Sequence, residues 1–300
     1  MAQNDFKPFA VAPNANVTPQ ADWENLPALQ SGFTTGKASS AQVNKAVRQS
    51  TFVASAIAQF ISEKTNSDVL DNGDVDLFVE KLSSSLSGSL IAVKTITTTQ
   101  TYHASEGTRF VIVELLGGGG GGGGSAVTTA AQQSVGGGGG AGGYIKARVN
   151  DGFDGAVVTI GAGGSGVNGG TGTSGGTTSF GNVLIAPGGA GGTVVPNATI
   201  PAAGGDGTGG LPTGSNPIVL AKGSSGGYGI MYSTAFATSG AGAASFLYPG
   251  GSGGGTQNPR DGYSATEYGC GGGAGNSRAS GTSRAGGDGY QGIAIIWEFS

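Results

Sequence analysis

Catalysis needs a base, a nucleophile or a set of metal ligands, and this sequence offers few of any. His103 is the single histidine and Cys270 the single cysteine. A nucleophilic triad that used imidazole would have to be built on His103. That residue lies in a threonine-rich approach to a strand and reads as an exposed or hydrogen-bonded structural side chain. Cys270, inside "YGCGGG", has no basic group nearby to lower its pKa, so it reads as a small buried or loop residue. One Cys and one His supply neither a zinc site nor a disulfide framework. Asp206, Asp261, Glu267 and Asp288 are the carboxylates that a glycoside-cleaving pair would draw on, yet no spacing singles out two of them. The expectation is a protein that is not an enzyme and holds no cofactor or metal.

Two phosphate-binding patterns fail on context. "GFTTGKAS" (residues 32–39) has three residues between its glycines where a phosphate-binding loop has four, and no strand precedes it. It serves as the loop into a helix. G-x-G-x-x-G matches crowd residues 161–176, but no helix follows them, as a dinucleotide site would require.

The residues suited to recognition are aromatic. Tyr228, Tyr232, Phe236, Phe246, Tyr248, Tyr263 and Tyr268 are interleaved with Gly, Ser, Ala and Thr, the composition of adaptable binding loops in which Tyr supplies contact area at small entropic cost. Some of these rings must also fill a thin core. Arg260 and Asp261 in "QNPRDGYS" add polar handles to a turn-rich tip.

The elements that position these residues come from two unlike materials. Of 64 glycines, five (Gly32, Gly36, Gly73, Gly88 and Gly107) precede residue 117, which leaves 59 for the remaining 184 positions. Charged residues make up 11% of the chain with a net charge of −4, and no run of Lys and Arg forms the footprint that nucleic acid needs. The start, "MAQNDFKPFAVAPNANV", lacks a basic segment followed by an apolar one, so no secretory leader is expected. No apolar run approaches the length of a membrane-spanning helix.

Residues 1–36, with Pro8, Pro13, Pro19 and Pro27, read as an extended arm that Trp23 and Leu26 allow to dock. Residues 37–90 read as helical. Val43, Val47, Ser50, Ala54, Ile57 and Ile61 step by three and four, giving a near-heptad seam capped at Ser39 or Ser40. So short a seam needs a partner, which is either another copy of the chain or the second helix, "DVDLFVEKLSSSL". Residues 91–107 read as a linker.

From residue 108 to 300 the chain reads as all-β. Strands are expected at "TRFVIVELL", "YIKARV", "AVVTIG", "TSFGNVLIA" and "GIAIIWEF", with the first and last paired as adjacent central strands. Between them, glycine blocks at 117–124, 136–143, 250–255 and 269–275 suit extended helices of three residues per turn. Such helices leave their backbone groups pointing outward, so several packed side by side can satisfy one another.

With those residues in view, "MAQNDFKPFA", "SGFTTGKASSAQVNKAVRQSTFVASAIAQFI" and "DVLDNGDVDLFVEKL" resemble the N-terminal region of tail fibre proteins from bacteriophages and prophages of enteric bacteria. "FVIVELLGGGGGGGG", "GGTTSFGNVLIAPGGAGG" and "GDGYQGIAIIWEF" resemble the glycine-rich domain at the C-terminal end of many such fibres, and are similar in character to distal tip adhesins with stacked polyglycine helices. The resemblance implies a fibrous homotrimer, assembled in the host cytoplasm and carried on the virion. Its helical region, through Val43, Val47, Ala54, Ile57 and Ile61, would trimerise and attach to tail or baseplate proteins. Its glycine-rich tip, a β-sandwich with polyglycine segments, would touch a bacterial outer-membrane protein or lipopolysaccharide through Tyr228, Tyr232, Phe236, Phe246, Tyr248, Arg260, Tyr263 and Tyr268. The rival expectations are a structural connector without receptor binding and a tailspike that cleaves polysaccharide.

Overall fold

The computed structural model describes residues 2–33, 39–86, 90–195, 202–233, 236–249 and 253–300. It divides into two compact units, residues 1–89 and Leu90–Phe299. The phosphate-loop-like stretch at 34–38 and glycines 250–251 lie outside the described residues.

In the first unit, the expected seam becomes a 26-residue helix, Ser40–Thr65, with Ser39 at its N-cap and Asn66 in the left-handed conformation at its C-cap. A second helix, Val75–Leu86, starts where the Asp74 carboxylate accepts the Leu77 N–H at 2.9 Å. Ala58, Ile61 and Val69 form the buried core, flanked by Phe6, Phe78 and Leu82. The arm is not wholly extended. It includes two short helices, Gln20–Glu24 and Ala28–Ser31, with Trp23 buried, and its start is tied to residue 69 by Asp5 N to Val69 O (3.0 Å) and Val69 N to Gln3 O (2.8 Å). Among the described residues no helix is long and apolar enough to cross a membrane.

The second unit has a β-sandwich at one end. Its larger sheet runs in the order Leu90–Ile96, Ile293–Phe299, Phe110–Leu116, Tyr144–Val149, Pro217–Ala221, all antiparallel. The expected pairing of the first and last strong strands is present, with Ile296 opposite Val113. Residues 91–107 are not a linker, because Leu90–Ile96 is the strand that flanks the C-terminal one and Gln100–Thr101 joins the second sheet. The lysine of "LIAVKTI" and the threonines in and after it make the stretch look polar, yet an edge strand carries such residues readily. The second sheet runs Thr213–Gly214, Leu184–Ala186, Thr178–Phe180, Val157–Thr159, Gln100–Thr101. "TSFGNVLIA" is therefore a hairpin and not one strand, since Gly181 takes a positive φ of 51° and folds Leu184 back onto Phe180. Val113, Leu115, Ile145 and Ile296 from one sheet meet Val158, Phe180 and Leu184 from the other in a single buried cluster.

Strands of the sandwich then continue as glycine helices. Phe110–Leu116 leads into 117–124, and 136–143 leads into Tyr144–Val149. The N–H groups of Gly117, Gly120 and Gly123 bond to the carbonyls of Gly143, Gly140 and Gly137. Those of Gly118, Gly121 and Gly124 bond to Gly176, Thr173 and Gly170, and those of Gly119, Gly122 and Ser125 to Tyr290, Gly287 and Arg284. All nine bonds are 2.8–3.0 Å long. Each face of a three-residue turn thus has its own antiparallel neighbour. Carbonyls on the same helix accept from Gly164, Gly189, Gly192, Gly272 and Gly275, so six segments surround it.

The 136–143 and 269–275 segments are buried in the same way. A Cβ at Gly119 or Gly122 would overlap the carbonyl of Cys270 or Gly273. Glycine is required here for close approach and not for an unusual φ. The outer segments, 161–166, 170–176 and 187–193 among them, place glycine at the positions facing a neighbour and Ala162, Ser165, Thr171 and Thr193 at the exposed ones. That alternation is the origin of the G-x-G-x-x-G matches in residues 161–176.

Candidate functional site

The bundle has two ends. One is the sandwich, where Leu116 hands over to Gly117; the other is reached at Ser125, about 28 Å away for nine residues at ~3.1 Å per residue. Around Ser125 converge the loop 126–133 and the segments Ser134–Gly136, Gly229–Ser233, Phe236–Thr238, Arg260 and Asn276–Ser277, joined by short antiparallel pairings and isolated bridges. A frame tied together through main chain holds these loops at fixed spacing.

The aromatic set is divided between the ends. Tyr228, Tyr232 and Phe236 belong to the far end and are exposed, with the Tyr232 and Phe236 rings tilted at 5.7 Å. Arg260 lies there with its guanidinium 4.1 Å from the ring centre of Tyr263, which is also exposed. Phe246, Tyr248 and Tyr268 belong to the sandwich end. Phe246 stacks on Tyr144 at 4.3 Å, and Tyr248 and Tyr268 are half-buried against Leu116, Tyr144 and Ile293. The eight residues do not form one surface.

The helix seam is divided as well. Ile61 is fully buried in the core of its own unit, so it is withdrawn from any partner, while Val43, Val47 and Ile57 are exposed and Ala54 half-buried. A concave apolar surface of about 520 Å³ runs beside them, lined by Phe6, Val53, Ile57, Leu70, Val75 and Phe78.

His103, Cys270, Asp261 and Asp288 each have local neighbours of their own. His103 is exposed, 3.7 Å from Asp154. The Cys270 thiol is buried, accepting from Ser245 N and donating to the Tyr248 carbonyl. Asp261 accepts the Ala285 N–H at 2.9 Å and Asp288 the Gly166 N–H at 2.8 Å, so both carboxylates staple bundle segments. Among the described residues no group of three His, Cys, Asp or Glu is arranged to hold a metal.

The perturbed ionisable groups serve the sandwich. Burial pushes the Glu298 carboxyl up, but hydrogen bonds from Lys94 (2.7 Å), the Ser105 N–H and the Tyr102 hydroxyl, with the Lys94 charge, outweigh it and hold the carboxyl below its ordinary value. Burial and the same carboxylate raise the Tyr102 phenol well above its ordinary range, as burial and Glu114 do for Tyr144.

The sequence profile of a glycine-rich domain matches residues 94–297, beginning inside the edge strand and ending one residue short of Glu298. The chain belongs to the glycine-rich domain family. That match runs over both the sandwich and the bundle, so the family's unit is the composite of the two. No curated protein matches the chain. What sequence reasoning missed in this glycine-rich domain is which loops share an end, because that depends on the direction in which each glycine segment runs. The signal was present in the order of strands and blocks, since a segment that follows a sandwich strand must run away from it and the next must return.

Proposed function

We propose that the protein is a receptor-binding tail fibre of a bacteriophage or prophage of enteric bacteria, a non-catalytic homotrimer of the virion. Its helical unit attaches it to tail or baseplate proteins and its glycine-rich domain recognises the host surface. The observation that carries this reading is the far end of the bundle: exposed Tyr228, Tyr232 and Phe236 on loops set at the end of a frame held by main chain. Rigid aromatic anchors on such a frame lose little entropy on binding. Several copies on one particle would raise weak single-site affinity by avidity. The exposed Val43, Val47 and Ile57 give the helical unit a surface for its partner copies.

The reading is tested by adsorption. Particles carrying Tyr228→Ala, Tyr232→Ala and Phe236→Ala together are expected to lose host adsorption while the trimer assembles, and Phe246→Ala alone is expected to adsorb normally. Unchanged adsorption by the triple variant would point instead to a connector whose recognition lies elsewhere.

A further inference from the structure

The far end of the bundle also gathers positive charge that no stretch of sequence displays. Arg260 exchanges backbone hydrogen bonds with Asn276 at 3.0 Å each way in an antiparallel bridge, which places the segments 258–260 and 276–278 side by side. Gly262 N bonds to Ala285 O at 2.9 Å, which places 284–285 on the other flank of 260–262. Arg260, Arg278 and Arg284 therefore sit on three neighbouring segments.

None of the three is in an ion pair; the ion pairs among the described residues are Lys94–Glu298, His103–Asp154 and Lys146–Glu114. Asp261, the acid within this patch, is engaged with the Ala285 N–H. The Arg278 Nη2 donates to Gln257 O at 2.8 Å, while its Nε is buried without a partner. Beside it in the ladder, the fully buried Gln133 and Asn276 also carry unpartnered amide atoms. Apart from the exposed Asp261, the polar residues exposed around the patch are neutral amides and hydroxyls: Gln257, Asn258, Ser280 and Thr282.

We propose that this arginine patch binds the phosphoryl group of a phosphorylated surface saccharide. The proposal rests on the receptor-binding reading above and names the chemistry of the receptor. Guanidinium groups without counter-ions match the two acceptor oxygens and the charge of a phosphate monoester, which is ≈ −1.5 to −2 at pH 7. The surrounding amides and hydroxyls offer donors and acceptors together, which suits sugar hydroxyls. A protein receptor would call for a desolvated apolar centre, and this patch has a polar one.

The test uses the full-length protein and immobilised core oligosaccharide from an enteric lipopolysaccharide, native or stripped of phosphate with hydrofluoric acid. Binding is expected to the native form, with inorganic phosphate competing. Removal of phosphate is expected to weaken it about tenfold or more, and the pair Arg260→Gln and Arg284→Gln about a hundredfold, each lost charge-assisted bond counting for about a factor of ten. Arg278 is left intact because it also holds Gln257, and the thermal midpoint of the double variant checks folding. Equal binding to native and stripped oligosaccharide overturns the proposal. So does binding to whole envelopes that protease abolishes and phosphate removal leaves alone, an outcome that keeps the receptor-binding reading and assigns a protein receptor. Failure to bind any host envelope overturns both.

Discussion

The two halves of the glycine-rich unit solve the problem of a core in opposite ways. In the sandwich, side chains such as Phe180, Leu184, Ile145 and Ile296 exclude water, and the strands are spaced by what they carry. In the bundle, the carbonyl of one segment stands where the side chain of the next would be, and hydrogen bonds on every face of 117–124 replace apolar burial. A side-chain core tolerates exchange among shapes of similar volume. A main-chain core has no volume to exchange where one segment meets the backbone of the next, so those positions admit only glycine, although Ala141, Cys270 and Ala274 are buried elsewhere in the same segments, while its loops remain free to vary.

The largest effect is expected from the smallest substitution. Gly122→Ala puts a methyl group into the Gly273 carbonyl, and backbone on both sides must move, which exceeds the ~1–3 kcal/mol typical of overpacking. The variant is expected to be insoluble or unfolded at 37 °C by circular dichroism. In the wild-type protein the amides of residues 118–124 are expected to be among the slowest to exchange with solvent, opening only on global unfolding. A folded Gly122→Ala with an unchanged midpoint would break the distinction between the two cores.

Next in size is Phe180→Ala, which empties the centre of the sandwich and is expected to cost about 3–5 kcal/mol in denaturant unfolding. The two halves share strands, so the loss is expected in one cooperative transition. Two separate transitions would show that the bundle stands without its base.

Much of the sandwich was legible because its signals are local. "FVIVELL" and "IAIIWEF" announce buried strands by β-branched and apolar composition, and their pairing follows from their rank. Residues 91–107 were misread because Lys94 and the threonines near it conceal a strand whose lysine is drawn to Glu298, two hundred residues away. The octaglycine was legible as an extended helix, but most of its neighbours were not. Those segments carry residues such as Ala162, Ser165, Thr171 and Asp288 at exposed positions among their glycines and differ from a loop only in their spacing. The arginine patch was invisible for the same reason: Arg260, Arg278 and Arg284 never form a run.

Acid and alkali are expected to act through the sandwich, where the groups with shifted pKa values lie. Glu298 has a lowered folded-state pKa, so its stabilisation is present above the ordinary carboxylate value near 4.3 and is lost as pH falls through the folded value. Tyr102 and Tyr144 have raised values, so their contribution is present below the ordinary phenol value near 10 and is lost as pH rises beyond it. Stability should be flat between those limits. Lys94→Met, which leaves Glu298 buried without its cation, is expected to cost about 1–3 kcal/mol at pH 7 and to shrink the loss on acidification. An acid limb unchanged in this variant would move the sensitive group elsewhere.

The smallest effect tests whether glycine matters by its neighbours or merely by its place in the bundle. Gly254 stands between two glycines whose Cβ positions are blocked by backbone, Tyr263 O at Gly253 and Ser239 O at Gly255. At Gly254 itself the nearest atom to a new Cβ is a ring carbon of Tyr263 at 3.4 Å, an ordinary contact, and the backbone needs no positive φ. Alanine there removes freedom from the unfolded chain without straining the folded one, a gain of ≈ 0.4–1 kcal/mol where it has been measured. Gly254→Ala should therefore raise the unfolding midpoint slightly, while Gly253→Ala, one residue away, should abolish folding. Equal damage from both would mean that the segment needs glycine for its own conformation, and that close approach between segments is not what fixes the sequence.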